Sequence, residues 1–400
     1  MLSIYLRLSL TLCFCSFVTG QMFIQDLMMA GGSPGFTAKF NLDKYSSNLF
    51  LIDLQSDFSF VSQPKHSERD FEGLTFLHNK TISIDGYDND MKQAMGYNVN
   101  LVFSRGGNKL NDLLLYYVLG KVSKNDVISL SYNSLNDEHS FINVLYANKT
   151  IEKKIFLLEL YPTDGQITFG AIPINKQSSH INREIISHVK YNKWGVILNN
   201  IYFNHTLLYK TTSYARISSH DTRVLIPHEM YSLITSIVFG TLINNNHCQL
   251  HELYNNSSYI RCYCTSIMDL PEFYFGIKDT STFRGKYVYV NMSIYDLFWE
   301  YDGFCTFLME KNMNNRDEFE FSSMFLMKFA TIFDFENKLI QFNTKFSKDV
   351  LNVTEMKTIV DYLIEDNDYV NLKFHLVNLT SVLLFIISIV LFTLTKSTCK

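Results

Sequence analysis

The sequence predicts a mostly β protein of two lobes followed by one C-terminal transmembrane helix, and three observations carry that prediction. Short runs rich in β-branched and aromatic residues recur along the chain, within a composition of 33 Phe and 24 Tyr that suits pleated sheets. An apolar strand ending in a small polar cluster occurs at Leu51-Ile52-Asp53-Leu54-Gln55-Ser56 and again at Ala215-Arg216-Ile217-Ser218-Ser219-His220, as a duplicated β lobe would show. The run 376–395 carries no charge and is long enough to cross the hydrocarbon core of a bilayer.

Taken in order, residues 1–20 read as a cleaved secretory signal, with Arg7 as the early positive charge, an apolar core and small residues before Gln21. A retained signal anchor is the competing reading. Strands are expected at 37–42, at 48–52 with 60–61 beyond a turn, at 99–103, at 154–160 and at 286–290. Helices are expected at 228–239, after Pro227, and at 352–366. The lobes are drawn at 30–188 and 189–348, with a stalk at 349–375 and a cytoplasmic tail at 396–400. Lys396 and Lys400 in that tail favour a type I single-pass protein with its ectodomain lumenal or extracellular. A removed lipid-anchor signal competes for the same segment.

An oxidising, glycosylating compartment agrees with the rest. Asn79, Asn148, Asn204, Asn255, Asn256, Asn291 and Asn352 each carry Ser or Thr two residues on. Asn378 also matches but falls inside the membrane run. Four cysteines remain between signal and tail: Cys248, Cys262, Cys264 and Cys305. They allow three pairings, and Cys262 and Cys264 sit too close on one strand to pair readily with each other. The net charge of -4, without a basic tract, gives nucleic-acid binding no support.

Several stretches, in order, resemble the pepsin-like aspartic proteases over nearly the whole ectodomain. Phe36-Thr37-Ala38-Lys39-Phe40 followed by Phe50-Leu51-Ile52-Asp53 is similar to the strands leading to the family's first catalytic acid. Val127-Ile128-Ser129-Leu130-Ser131-Tyr132, then Phe156 to Leu160 with Asp164 to Gly170, resemble the first lobe's later strands. Lys193-Trp194-Gly195-Val196 looks like the strand opening the second lobe. Cys264 through Leu270-Pro271 to Phe275, and Phe325 to Asp334, resemble its closing segments. The resemblance implies two β-barrel-like lobes with a central cleft, and it pairs Cys264 with Cys305. It also implies the membrane and an extended peptide or protein as partners, with no cofactor and no metal.

The resemblance breaks at the chemistry. Leu54 and Gln55 stand where the family has Thr and Gly after its first acid. In the family a Pro lies nine positions after the second acid, and counting back from Pro227 reaches Ser218. A rival register places the acid at Asp221 but leaves only six positions to Pro227 and puts Arg223 at the Gly. The reaction needs two carboxylates that share a proton and hold a water between them. With Ser218 opposite, Asp53 lacks that second acid. Ser218 and His220 do not make a serine nucleophile either, since no orienting acid or oxyanion site accompanies them. The glycines beneath each acid turn become Ser129 and Ser322, and the flap alignment puts Asp85 where a Tyr belongs, with Tyr87 two positions on. The strand-like region begins near Phe36, leaving little room for an inhibitory prosegment. The sequence therefore predicts a membrane-bound, non-catalytic homologue that binds a peptide or protein. An active endopeptidase of an acidic compartment and a structural or adhesive surface glycoprotein are the alternatives.

Overall fold

Alternating apolar residues and a scarcity of helix-forming runs make strands the main element of the chain. The computed structural model describes residues 23–352 apart from 30–34, 43–47, 63–73, 85–87, 104–108, 120–125, 133–137, 139, 173–183, 189–192, 220–221, 253–257, 280–285, 314–316 and 345–349. The expected signal, membrane helix and tail lie outside the described residues. Among those described, no helix is long and apolar enough to cross a membrane.

A thirteen-stranded sheet forms the first lobe and continues into the second. Its joint is the antiparallel pairing of Ile155–Leu160 with Phe329–Asp334, in which Leu157 faces Ile332 and Phe156 faces Phe333. All six side chains of Ile155–Leu160 are buried, as expected of a strand covered on both faces. An eight-stranded sheet forms the body of the second lobe, and a four-stranded sheet packs beside it. The four-stranded sheet carries both disulfides. Cys248 and Cys262 face each other across neighbouring strands and are bonded. Cys264 is bonded to Cys305, as the resemblance implied.

Trp194 anchors the second lobe into the first. Its ring is fully buried against Tyr132, Phe333 and Phe335, with centroids at 5.3, 5.1 and 4.9 Å. Its indole N–H donates to the Leu130 carbonyl at 2.8 Å, which satisfies the one polar group such a ring buries. Gly195 follows because the Tyr214 ring occupies the space a Cβ would need.

The ordered sheet is longer than the predicted lobes at both ends. Phe23–Met29 precedes residue 30 yet pairs with Asp164–Phe169 over six residues, because Phe23 and Leu27 alternate into the core. Val350–Asn352 lies in the predicted stalk yet adds a strand beside Lys286–Met292. The helix expected at 352–366 therefore does not begin at Asn352, and the rest of it lies outside the described residues. The expected helix at 228–239 is an α-helix over His228–Leu233 that widens to a π-helix over Ile234–Val238.

Candidate functional site

Each lobe contains the same local construction, and comparing the two fixes which residues correspond. In the first lobe, strand Asn48–Asp53 runs parallel to Asp126–Ser129, with Asp53 opposite Ser129. Phe60, on the strand after the turn, lies antiparallel to Val127 and parallel to Tyr116. In the second lobe, strand Thr206–Ile217 runs parallel to Phe319–Phe321, with Ile217 opposite Phe321. After its turn Leu225 lies antiparallel to Glu320, beside a parallel strand at Met309–Lys311. Phe60 lies seven positions after Asp53, and Leu225 seven positions after Ser218. A shift to Asp221 would break that correspondence. Ser218 thus holds in the second lobe the place that Asp53 holds in the first.

The bonds between the lobes obey the same register. Ser219 is buried, and its hydroxyl donates to the Ile52 carbonyl at 2.6 Å while accepting from the Leu54 amide at 3.2 Å. Those two groups flank Asp53. The pseudo-symmetric partner of Ser219 is Leu54, whose side chain has no hydroxyl and packs in the hydrophobic core. The carbonyl that Leu54 would serve is that of Ile217, the residue before Ser218. Gln55 supplies the donor instead, its side-chain amide reaching the Ile217 carbonyl.

Asp53 is fully buried, and its Oδ1 accepts from the Gln55 amide at 2.7 Å, closing a short turn. Leu130, whose carbonyl binds Trp194, donates its own amide to the Asp53 carbonyl at 2.7 Å. Hydroxyls brace the turn from below: Ser129 donates to the Ser56 carbonyl, Ser56 to the Phe58 carbonyl at 2.8 Å, and Ser59 accepts from the Ser129 amide at 3.0 Å. On the other side, Arg216 pairs with Glu318 and with the buried Glu320 at 3.3 and 3.4 Å. Ser322, the counterpart of Ser129, is fully buried and its hydroxyl has no partner among the described residues.

A profile of the eukaryotic aspartyl proteases matches residues 32–345. The chain belongs to the eukaryotic aspartyl protease family. No curated protein matches it by sequence. Among solved structures it is similar to basic 7S globulin from soybean, with 15% identity, 82% of this chain and 96% of that chain covered, and a TM-score of 0.62. It is also similar to the aspartic proteinase from Irpex lacteus, with 12% identity, 82% and 98% covered, and a TM-score of 0.61. At such identities the likeness establishes the fold alone.

The structure brings Asp53 and the segment Ser218-Ser219 together at the lobe junction and keeps the remaining described candidates apart from it. Both disulfides lie at the four-stranded sheet, with Cys264 in the turn that follows its strand Ser258–Tyr263. Asn79, Asn148 and Asn204 are exposed. Asn291 is half-buried, and its amide nitrogen donates to Glu272 at 2.7 Å. Asn352 ends a strand. His220, Asp221, Asp85, Tyr87, Asn255 and Asn256 lie outside the described residues. Sequence reasoning missed the role of Gln55, although the simultaneous loss of a hydroxyl at Leu54 and gain of an amide next to it was the available signal.

Proposed function

We propose that this chain is a non-catalytic aspartyl protease homologue, anchored in a membrane of the secretory pathway, that binds an extended peptide or protein between its lobes. One observation carries the reading: the strand register makes Ser218 the counterpart of Asp53 in the second lobe, so among the described residues the junction holds one carboxylate where the reaction needs two. A base must take a proton from water while an acid gives one to the substrate carbonyl, and a serine hydroxyl cannot replace a carboxyl that shares its proton. The burial of Asp53, Gln55, Ser218 and Ser219, each no more than 3% exposed, supports a structural role for this cluster. Glycans on the exposed Asn79, Asn148 and Asn204 belong to the same reading.

The test is cleavage of an unfolded protein by the purified ectodomain from about pH 3 to pH 7, with and without a transition-state-mimicking inhibitor. No inhibitor-sensitive turnover is expected at any pH. Turnover that the inhibitor blocks and Asp53→Asn abolishes would establish an active endopeptidase instead. Equilibrium binding of unstructured peptides tests the second half of the proposal. A stable, inactive ectodomain that binds none would be a scaffold.

A further inference from the structure

Away from Asp53, a cavity of about 940 Å³ opens where Met29 and the turn at Tyr161 meet the second lobe. Two carboxylates line it, and they differ in how they are held. Asp296 is neutralised: its Oδ2 accepts from Lys328 Nζ at 2.8 Å and from the Ser293 hydroxyl and amide at 2.8 and 2.7 Å. Among the described residues, Glu272 is held by neutral donors alone. Its Oε2 accepts from the Tyr274 hydroxyl at 2.9 Å and from the Asn291 amide at 2.7 Å. Burial, reinforced by Glu272, pushes the Tyr274 hydroxyl above its ordinary pKa, so it stays a donor at neutral pH.

Lys328 is the one cation among the described lining residues, and Asp296 engages it. The described lining therefore has one carboxylate more than its cations. A carboxylate against apolar walls is costly without a counter-charge. The Asn291 side chain, whose amide nitrogen Glu272 binds, keeps a carbonyl with no hydrogen-bond partner among the described residues. Around these acceptors the walls suit a cation with an apolar body. Trp299 at the wall is 48% exposed and presents the ring type that attracts cations best. Met324 and Met327 supply adaptable apolar surface.

We propose that this cavity binds an organic ammonium ion, its head group on Glu272 and its alkyl stem along the methionines. The inference does not rest on the proposed cleft function. A free amine and a lysine side chain share this chemistry, and the probes separate them.

Binding to the full-length protein is measured by titration calorimetry with n-pentylammonium against n-pentanol, and with a lysine-containing peptide against its norleucine counterpart. Pentylammonium binding assigns the site to free amines, and binding of the lysine peptide alone assigns it to peptides. In either case the neutral analogue should bind at least about tenfold more weakly, and Glu272→Gln should lose about tenfold, as removal of a charge-assisted hydrogen bond does. Lys328→Met, which leaves Asp296 without its cation, should tighten binding, an effect that misfolding would not produce. Equal binding of the neutral analogues, indifference to Glu272→Gln, or no binding of either cation would overturn the proposal. So would a glycan at Asn291, found by mass spectrometry of its glycopeptide, because it would fill the same space.

Discussion

Replacing Ser219 with alanine should loosen the lobe junction while leaving both contributing strands intact. The hydroxyl is the only group removed, and it makes two bonds: to the Ile52 carbonyl at 2.6 Å and from the Leu54 amide at 3.2 Å. Ile52, Leu54 and Ser219 are each no more than 1% exposed, so water does not reach the groups left behind. Each buried backbone group stripped of its partner costs about 1–3 kcal/mol, which puts the pair at about 2–6 kcal/mol. For a chain of this size about 1 kcal/mol moves the Tm by about 2 °C. The expected fall is therefore about 4–12 °C, read by scanning calorimetry at one fixed rate, since unfolding of a large protein is often irreversible. Ser232→Ala is the control, an exposed helix hydroxyl bonded to the His228 carbonyl, and should move the Tm by about 1 °C or less. A Ser219→Ala shift no larger than that control would refute the cross-lobe role assigned to the hydroxyl.

Two further outcomes follow from groups outside the junction. Burial, and after it Tyr202, pushes the Tyr289 hydroxyl up to about 12 from 10.0. A raised folded-state pKa means that its contribution is intact below about pH 10 and is lost as pH rises through about 12. Stability measured over that window should fall less steeply in Tyr289→Phe than in the parent, and parallel profiles would contradict the argument. The two disulfides close loops of different length, with sequence separations of 41 for Cys264–Cys305 and 14 for Cys248–Cys262. Loop entropy makes the longer one worth about 1 kcal/mol more. Serine replacement of Cys264 and Cys305 together should lower the Tm further than replacement of Cys248 and Cys262, and the reverse order would show that local packing outweighs loop closure.

Residues whose surroundings are local in sequence were the legible ones. The strand leading to Asp53, the Trp194 strand and the closing strand at Phe329–Asp334 could each be read from their apolar spacing and bounding turns. Ser218 was reached through the resemblance, by the family's spacing of nine residues to Pro227, and Leu225 pairs with Glu320 as Phe60 pairs with Val127. The pairing of Cys248 with Cys262 was left open, since it depends on which strands are neighbours. The ammonium cavity was invisible for the same reason. Glu272, Asn291 and Lys328 come from three separate elements, and no periodicity connects them. Strand Val350–Asn352 was not legible because three residues carry too little pattern to reveal an edge pairing.

The junction itself shows how the two halves have diverged without losing their joint. A symmetric pair of lobes would present two equivalent side chains, each bonding to the carbonyl just before the other lobe's central residue. Here Ser219 does this for Ile52 from the second lobe. From the first lobe the equivalent position is Leu54, which joins the core, and the bond to Ile217 comes from Gln55, one residue later. The longer amide side chain makes up the extra distance. Both carbonyls are served, so the mechanical requirement is met with unlike parts. Asp53 and Ser218 occupy the corresponding central positions, and nothing in the joint requires them to match. Paired acids are a demand of the reaction, whereas paired donors are a demand of the fold. This chain satisfies the second by a substitution outside the equivalent position, which is what a protein used for binding, as proposed, must retain.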